Sequence, residues 1–109
     1  MSRHILSLVH EGRKRTVVCG YDRPLRTLFL HVLQDGEAGN RDEEFVYDSE
    51  LEPELDWTDI NVVADKLAAL GIEPPASLIE GLFLDQCFNA GNRVVKHHLD
   101  GPPSVLRAG

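Results

Sequence analysis

Thr16-Val17-Val18-Cys19-Gly20, Tyr21-Asp22-Arg23-Pro24-Leu25 and Arg26-Thr27-Leu28-Phe29-Leu30-His31-Val32-Leu33 read in order as strand, tight loop and strand. Val, Thr, Phe and Leu favour a pleated surface, and Gly20 and Pro24 punctuate the backbone between the two runs. The second run alternates Leu28, Leu30 and Val32 against Thr27, Phe29, His31 and Leu33. Apolar residues on both sides place this strand inside a sheet. The first face is expected to meet helices, and the second needs a cover from the chain itself or from another subunit.

Upstream, Arg3 to Glu11 sets Ile5, Ser7 and Val9 against His4, Leu6, Leu8 and His10, and Glu11-Gly12-Arg13-Lys14 turns it into the next strand. Downstream, the polar stretch Gln34 to Glu44 predicts a mobile hairpin connection, and Phe45-Val46-Tyr47-Asp48 a fourth strand with Phe45 and Tyr47 on one face. Ser49 to Asp56 alternates acids with Leu51, Pro53 and Leu55, which reads as an extended acidic connector. Thr58 to Leu70 has helical spacing at Ile60, Val63, Ala64, Leu67 and Ala68, closed by Gly71. Thr58 or Asp56 caps it, with Trp57 as an anchor.

A second helix follows Pro74-Pro75, started by Pro75 or by the capping box Ser77 to Glu80, with a wide stripe of Leu78, Ile79, Leu82, Phe83, Cys87 and Phe88. Gly81 lies inside it, where glycine costs about 1 kcal/mol against alanine; a close approach to Ala64 or Ala68 of the first helix would explain it. Arg93 to Leu99 returns as a fifth strand at a sheet edge. Residues 1–100 therefore form a single α+β domain, an antiparallel meander of three or four strands carrying a two-helix hairpin on one face plus a short C-terminal strand. Residues 101–109 lack a pattern and read as a disordered tail.

A chain of 109 residues can bury roughly 65% of its unfolded surface in one core. The net charge of −7 is unevenly placed. Residues 1–34 hold six bases and two acids, residues 35–60 one base and eleven acids, and residues 61–109 four bases and five acids. The basic cluster Arg13-Lys14-Arg15 has no stacking aromatics beside it, so it reads as a solvated turn and not a nucleic-acid site. Cys19 and Cys87 have no ligand or redox spacing and read as two reduced, buried thiols, consistent with a cytoplasmic protein. No apolar run approaches a membrane span.

Five histidines raise the question of a metal. His97 and His98 point to opposite sides of a strand, and no HxH, HExxH or Cys-based spacing joins the rest, so neither a metal nor any other cofactor is expected. Neither cysteine has a partner implied by spacing, and no phosphate loop or dinucleotide fingerprint is present. The candidate ligand- or partner-binding residues are Tyr21, Asp22 and Arg23 in the loop, Phe29 and His31 on the uncovered face, and Arg93.

The first expectation is a non-enzymatic protein-interaction module that binds a protein partner or its own copy through the second sheet face, which would carry Phe29 and Leu33 with Leu6 and Leu8, or through the acidic block. The alternative is a small-molecule binder or small enzyme with a pocket between sheet and helices, edged by Tyr21, Asp22, Arg23, His31 and Arg93. A third reading has the acids from Asp42 to Asp59 mimic nucleic-acid phosphate toward a basic partner.

Overall fold

The computed structural model describes residues 1–10, 12–35 and 43–108. Its strands are β1 (Ser2–His10), β2 (Arg13–Asp22), β3 (Thr27–Asp35), β4 (Glu43–Asp48), β5 (Arg93–His98) and β6 (Gly101–Ala108), and its helices α1 (Ile60–Ala69) and α2 (Ala76–Cys87). Six strands make one mixed sheet in the order β4-β3-β2-β1-β5-β6. All neighbours are antiparallel except β1 and β5, which run parallel. The α+β class and the two helices agree with the sequence reading. The strand count and the purely antiparallel meander do not, because the helical segment carries the chain back across the sheet to lie beside β1. The connection predicted over Gln34 to Glu44 lies outside the described residues from 36 to 42, as does Glu11.

The opening stretch contains more strand than its punctuation suggests. Gly20 lies inside β2, and the turn is Arg23 to Arg26, closed by Arg26 N–H donating to the Arg23 carbonyl at 3.3 Å. Asp22 supports it by accepting from the Leu25 amide, three residues on, at 3.3 Å. Gly20 is small for a packing reason. A Cβ there would overlap the Ser2 backbone carbonyl and come within 2.6 Å of the Phe29 ring. Gly20→Ala is therefore expected to cost about 2–3 kcal/mol, since β1 itself must move to relieve the overlap. A lower urea midpoint at unchanged slope would register it, and an unchanged midpoint would refute this role for Gly20.

Cross-strand register fixes the faces. Leu6, Val17 and Val32 lie in one row, as do His4, Cys19 and Leu30. These rows are buried at 0–1% exposure beneath the helices, with Tyr21 and Leu28 beside them. Leu6 thus belongs to the helix-covered core and Leu8 packs against it, correcting their assignment to the second face; Ile5, aligned with Val18 and His31, takes that place. Phe45 and Tyr47 also part company. The register shifts between Val32 and Leu33, so Tyr47 pairs with Val32 toward the helices and Phe45 pairs with Leu33 on the opposite side.

Where β4 ends, the connector continues its hydrogen bonding. Leu30 N–H donates to Ser49 Oγ at 3.1 Å and Leu28 N–H to the Trp57 carbonyl at 2.7 Å. Trp57 is an anchor as expected, 8% exposed, with its indole N–H on the Glu52 carbonyl at 2.9 Å. Asp59 caps α1 through the Asn61 amide, while Asp56 binds the Thr58 amide and hydroxyl. Asp48 caps the short 3-10 turn Ser49–Leu51, and Glu52 pairs with Lys66 at 3.0 Å. Much of the acidic block thus has local structural work.

α1 packs over β3, and α2 over β1 and β2. Gly71 closes α1 at φ 75°, as its position predicts. β5 is an interior strand, flanked by β1 and β6. Gly101–Ala108 forms the edge where a patternless tail was expected; Pro102 and Pro103 are tolerated there because an edge strand leaves one side of its backbone unpaired. Both cysteines are free, but only Cys19 is buried, since Cys87 ends α2 on its exposed side. Burial and then the nearby Asp85 charge push the Cys19 thiol up to about 12, so it is an inert core group. No helix among the described residues is long and apolar enough to cross a membrane.

Candidate functional site

The six residues singled out from sequence divide between two sides of the sheet. Asp22, Phe29 and His31 share the helix-free face, where they line a cleft of about 590 Å³ with Arg3, Val18, Leu33 and Phe45. His31 stands between Phe29 and Phe45, with ring centroids 5.5 and 5.8 Å away, and its Nε2 is 3.4 Å from Asp48 Oδ1. Tyr21 faces the other way into the core, 3% exposed, with its hydroxyl donating to Asn89 Oδ1 at 2.7 Å. Arg23 is exposed in the turn and comes near Gly91, where an added Cβ would lie 3.3 Å from its guanidinium. Arg93 reaches under α2 to Asp85 at 3.4 Å. The residues therefore do not form one pocket, and the space between sheet and helices is not edged by Asp22 or His31.

That space holds a polar chain of a different composition. Ser77 Oγ lies 2.9 Å from His97 Nδ1, His97 Nε2 lies 2.7 Å from His4 Nδ1, and His4 Nε2 lies 2.6 Å from Asp85 Oδ2. His4, His97 and Asp85 are 1–2% exposed, whereas Ser77 is half-buried. Ser2 hydrogen-bonds Asp85 while its Oγ accepts the Tyr21 amide at 3.0 Å. The arrangement follows from helix and sheet periodicity. Ser77, Gly81 and Asp85 recur every four residues and so share one row of α2. The polar ends of the row meet His97 and His4, and the middle must be empty: a Cβ at Gly81 would sit 2.9 Å from His4 Cε1. Gly81 admits a histidine of the sheet, correcting the expected approach of Ala64 or Ala68. Ser77 likewise serves His97 in place of the predicted capping box, and Pro75 occupies the cap with no side-chain bond.

The chemistry of the groups assigns their protons. Burial raises the Asp85 carboxyl, but hydrogen bonds from His4 and Ser2, aided by the His4 and Arg93 charges, outweigh it and hold the carboxyl below its ordinary range. A carboxylate only accepts, so His4 Nε2 carries hydrogen. Burial, reinforced by His4, His98 and Arg93, pushes His97 down to about 4 and keeps it neutral. With His4 neutral, Ser77 donates to His97, His97 to His4, and His4 to Asp85. One added proton reverses the first two bonds and leaves an imidazolium on His4 against the carboxylate.

The described residues contain no group of three or more His, Cys, Asp or Glu placed to hold a metal ion. His97 and His98 do point apart, and His98 instead contacts Ser104 at 3.2 Å. None of Ser77, His97, His4 and Asp85 is among the six candidates, these two histidines entering the sequence reading only as metal ligands. The available signal was Asp85, an acid at a stripe position three residues after Leu82 and seven after Leu78. No protein-family model, curated protein or solved structure matches the chain.

Proposed function

We propose that the chain is a protein-interaction module that binds a second copy of itself through the helix-free face of the sheet. The supporting observation is that Ile5, Val18, Phe29, Leu33 and Phe45 share the face opposite α1 and α2, the first four half-buried and Phe45 60% exposed, with Ser49, Glu50 and Pro53 of the connector at the rim of their cleft. The charges of this face are unevenly placed as well, Asp22 at the end of β2 being an acid on the otherwise basic side. By register Lys14 and Lys96 lie toward β2, β1 and β5, while Asp48 and Glu50 lie at and beyond β4. A two-fold axis parallel to the strands superposes the basic side of one copy on the acidic side of the other, so one patch is self-complementary. A standard interface needs roughly 800 Å² per partner, about an eighth of the chain's 6663 Å².

Light scattering on a gel-filtration column is expected to give twice the 12.2 kDa chain mass. Phe45→Asp, at an exposed position, should leave the fold intact and raise the dimer dissociation constant at least ~10-fold, the equivalent of about 1.4 kcal/mol. Lys96→Glu should weaken the dimer too, and added salt should mimic it. A monomer at high micromolar concentration, or dimerisation indifferent to Phe45→Asp, would overturn the reading.

The cleft on this face favours a second occupant, a small apolar molecule, since its volume is within the usual ligand range and Arg3 and Asp22 supply polar contacts. Such a ligand would compete with dimerisation.

A further inference from the structure

The geometry points to Ser77 as a nucleophile that accepts an acyl group from a small activated carboxylic ester, with His97 and His4 as a two-histidine proton relay ending at Asp85. This site is in the other layer of the fold from the docking face and does not depend on it.

Four observations carry the assignment. The Ser77 hydroxyl is 2.9 Å from a ring nitrogen of His97, the separation required of a nucleophile and its base. With His4 neutral the base is oriented by a third group in its accepting tautomer, since His97 Nε2 then donates to His4 Nδ1 at 2.7 Å. His4 is in turn fixed by Asp85 at 2.6 Å. Finally, Ser77 is the only half-buried member of the four-residue chain, the other three being 1–2% exposed, so the relay comes nearest to solvent at Ser77. A serine at the second position of a helix would ordinarily be free to satisfy backbone amides. Here its hydroxyl is directed inward to an imidazole.

The second histidine solves an electrostatic difficulty. A buried neutral imidazole is a poor place to leave a positive charge. In this arrangement the charge does not remain there: the Ser77 proton moves to His97 Nδ1 as the His97 Nε2 proton moves to His4 Nδ1. The imidazolium then resides on His4, in contact with the Asp85 carboxylate. Ser77 Oγ forms a bond to the acyl carbon, the bond from that carbon to the leaving oxygen breaks, and the returning proton neutralises the alkoxide or aryloxide. The products are the Ser77 ester and the free alcohol; water repeats the sequence to release the acid.

The test uses 4-nitrophenyl acetate with the full chain. A burst approaching one nitrophenolate per chain is expected, with an added acetyl mass located on the peptide containing Ser77. Ser77→Ala should abolish that label, and His97→Gln or Asp85→Asn should slow its formation at least ~100-fold, the usual scale for loss of a general base. Because Asp85→Asn also stresses the fold, Ser77→Thr provides a second arm, retaining the hydroxyl and a measurable burst. In the wild type, the burst rate should fall on acidification. Acetylation confined to Cys87 or lysines, or a Ser77 label formed equally fast in His97→Gln, would overturn the assignment.

Discussion

Truncation of Asp85 to alanine is expected to lower the free energy of unfolding by about 3–5 kcal/mol, the range for removing one partner of a buried charged pair. The carboxylate is 2% exposed and receives His4, Ser2 and Arg93. Arg93 is 43% exposed and can turn to water, so little of the loss comes from it. His4 and Ser2 cannot. Each would keep a donor in the core with nothing to receive it, at about 1–3 kcal/mol apiece, and a cavity would form beside Gly81. A domain of this size has roughly 5–15 kcal/mol in total, so a substantial fraction of the variant should unfold near body temperature. Asp85→Asn should cost less, because an amide oxygen still accepts from His4. Urea titrations of both variants read the effect, and a loss below about 1 kcal/mol for Asp85→Ala would show that the carboxylate is not the anchor of this network.

What could be read from residues and what could not differ in physical kind. Alternation within a strand is local, so the division of Leu28, Leu30 and Val32 from Phe29, His31 and Leu33 was legible and fixed which face meets the helices. The Gly71 stop and the Trp57 anchor were legible for the same reason. The partner of β1 was not. His4 and His97 are 93 residues apart and meet only because β5 lies parallel to β1, a choice made by the packing of α2 and not by any pattern in either strand. Gly81 shows the boundary well: its cost in a helix signalled a close approach, but the approaching group came from the sheet. Gly20 misled in the opposite way, looking like turn punctuation while being the close-packed centre of a strand.

Acidification from pH 6.5 to 4 is expected to remove up to about 3 kcal/mol of stability through His97 alone. In the unfolded chain a histidine titrates near 6.5, while burial, His4, His98 and Arg93 hold folded His97 down to about 4. Between those values the unfolded chain binds one proton more than the folded chain, so stability rises with pH by about 1.4 kcal/mol per unit. The contribution is complete above pH 6.5 and is lost as pH falls toward 4. Asp85 acts in the same direction lower down, because its depressed carboxyl stabilises the fold above the ordinary carboxylate range and loses that effect as pH falls through its own value. The groups facing His97 are His4 from β1, Ser77 and Asp85 from α2, and Arg93 and His98 from β5, and only Asp85 favours its protonation. Unfolding free energies measured from pH 4.5 to 7.5 should therefore show a slope near one proton in the wild type. His97→Gln, whatever its own cost at pH 7, should reduce that slope by most of a proton. An unchanged slope in the variant would mean that His97 titrates alike in the folded and unfolded chains, and its imidazole would then have no need to pass the Ser77 proton on to His4.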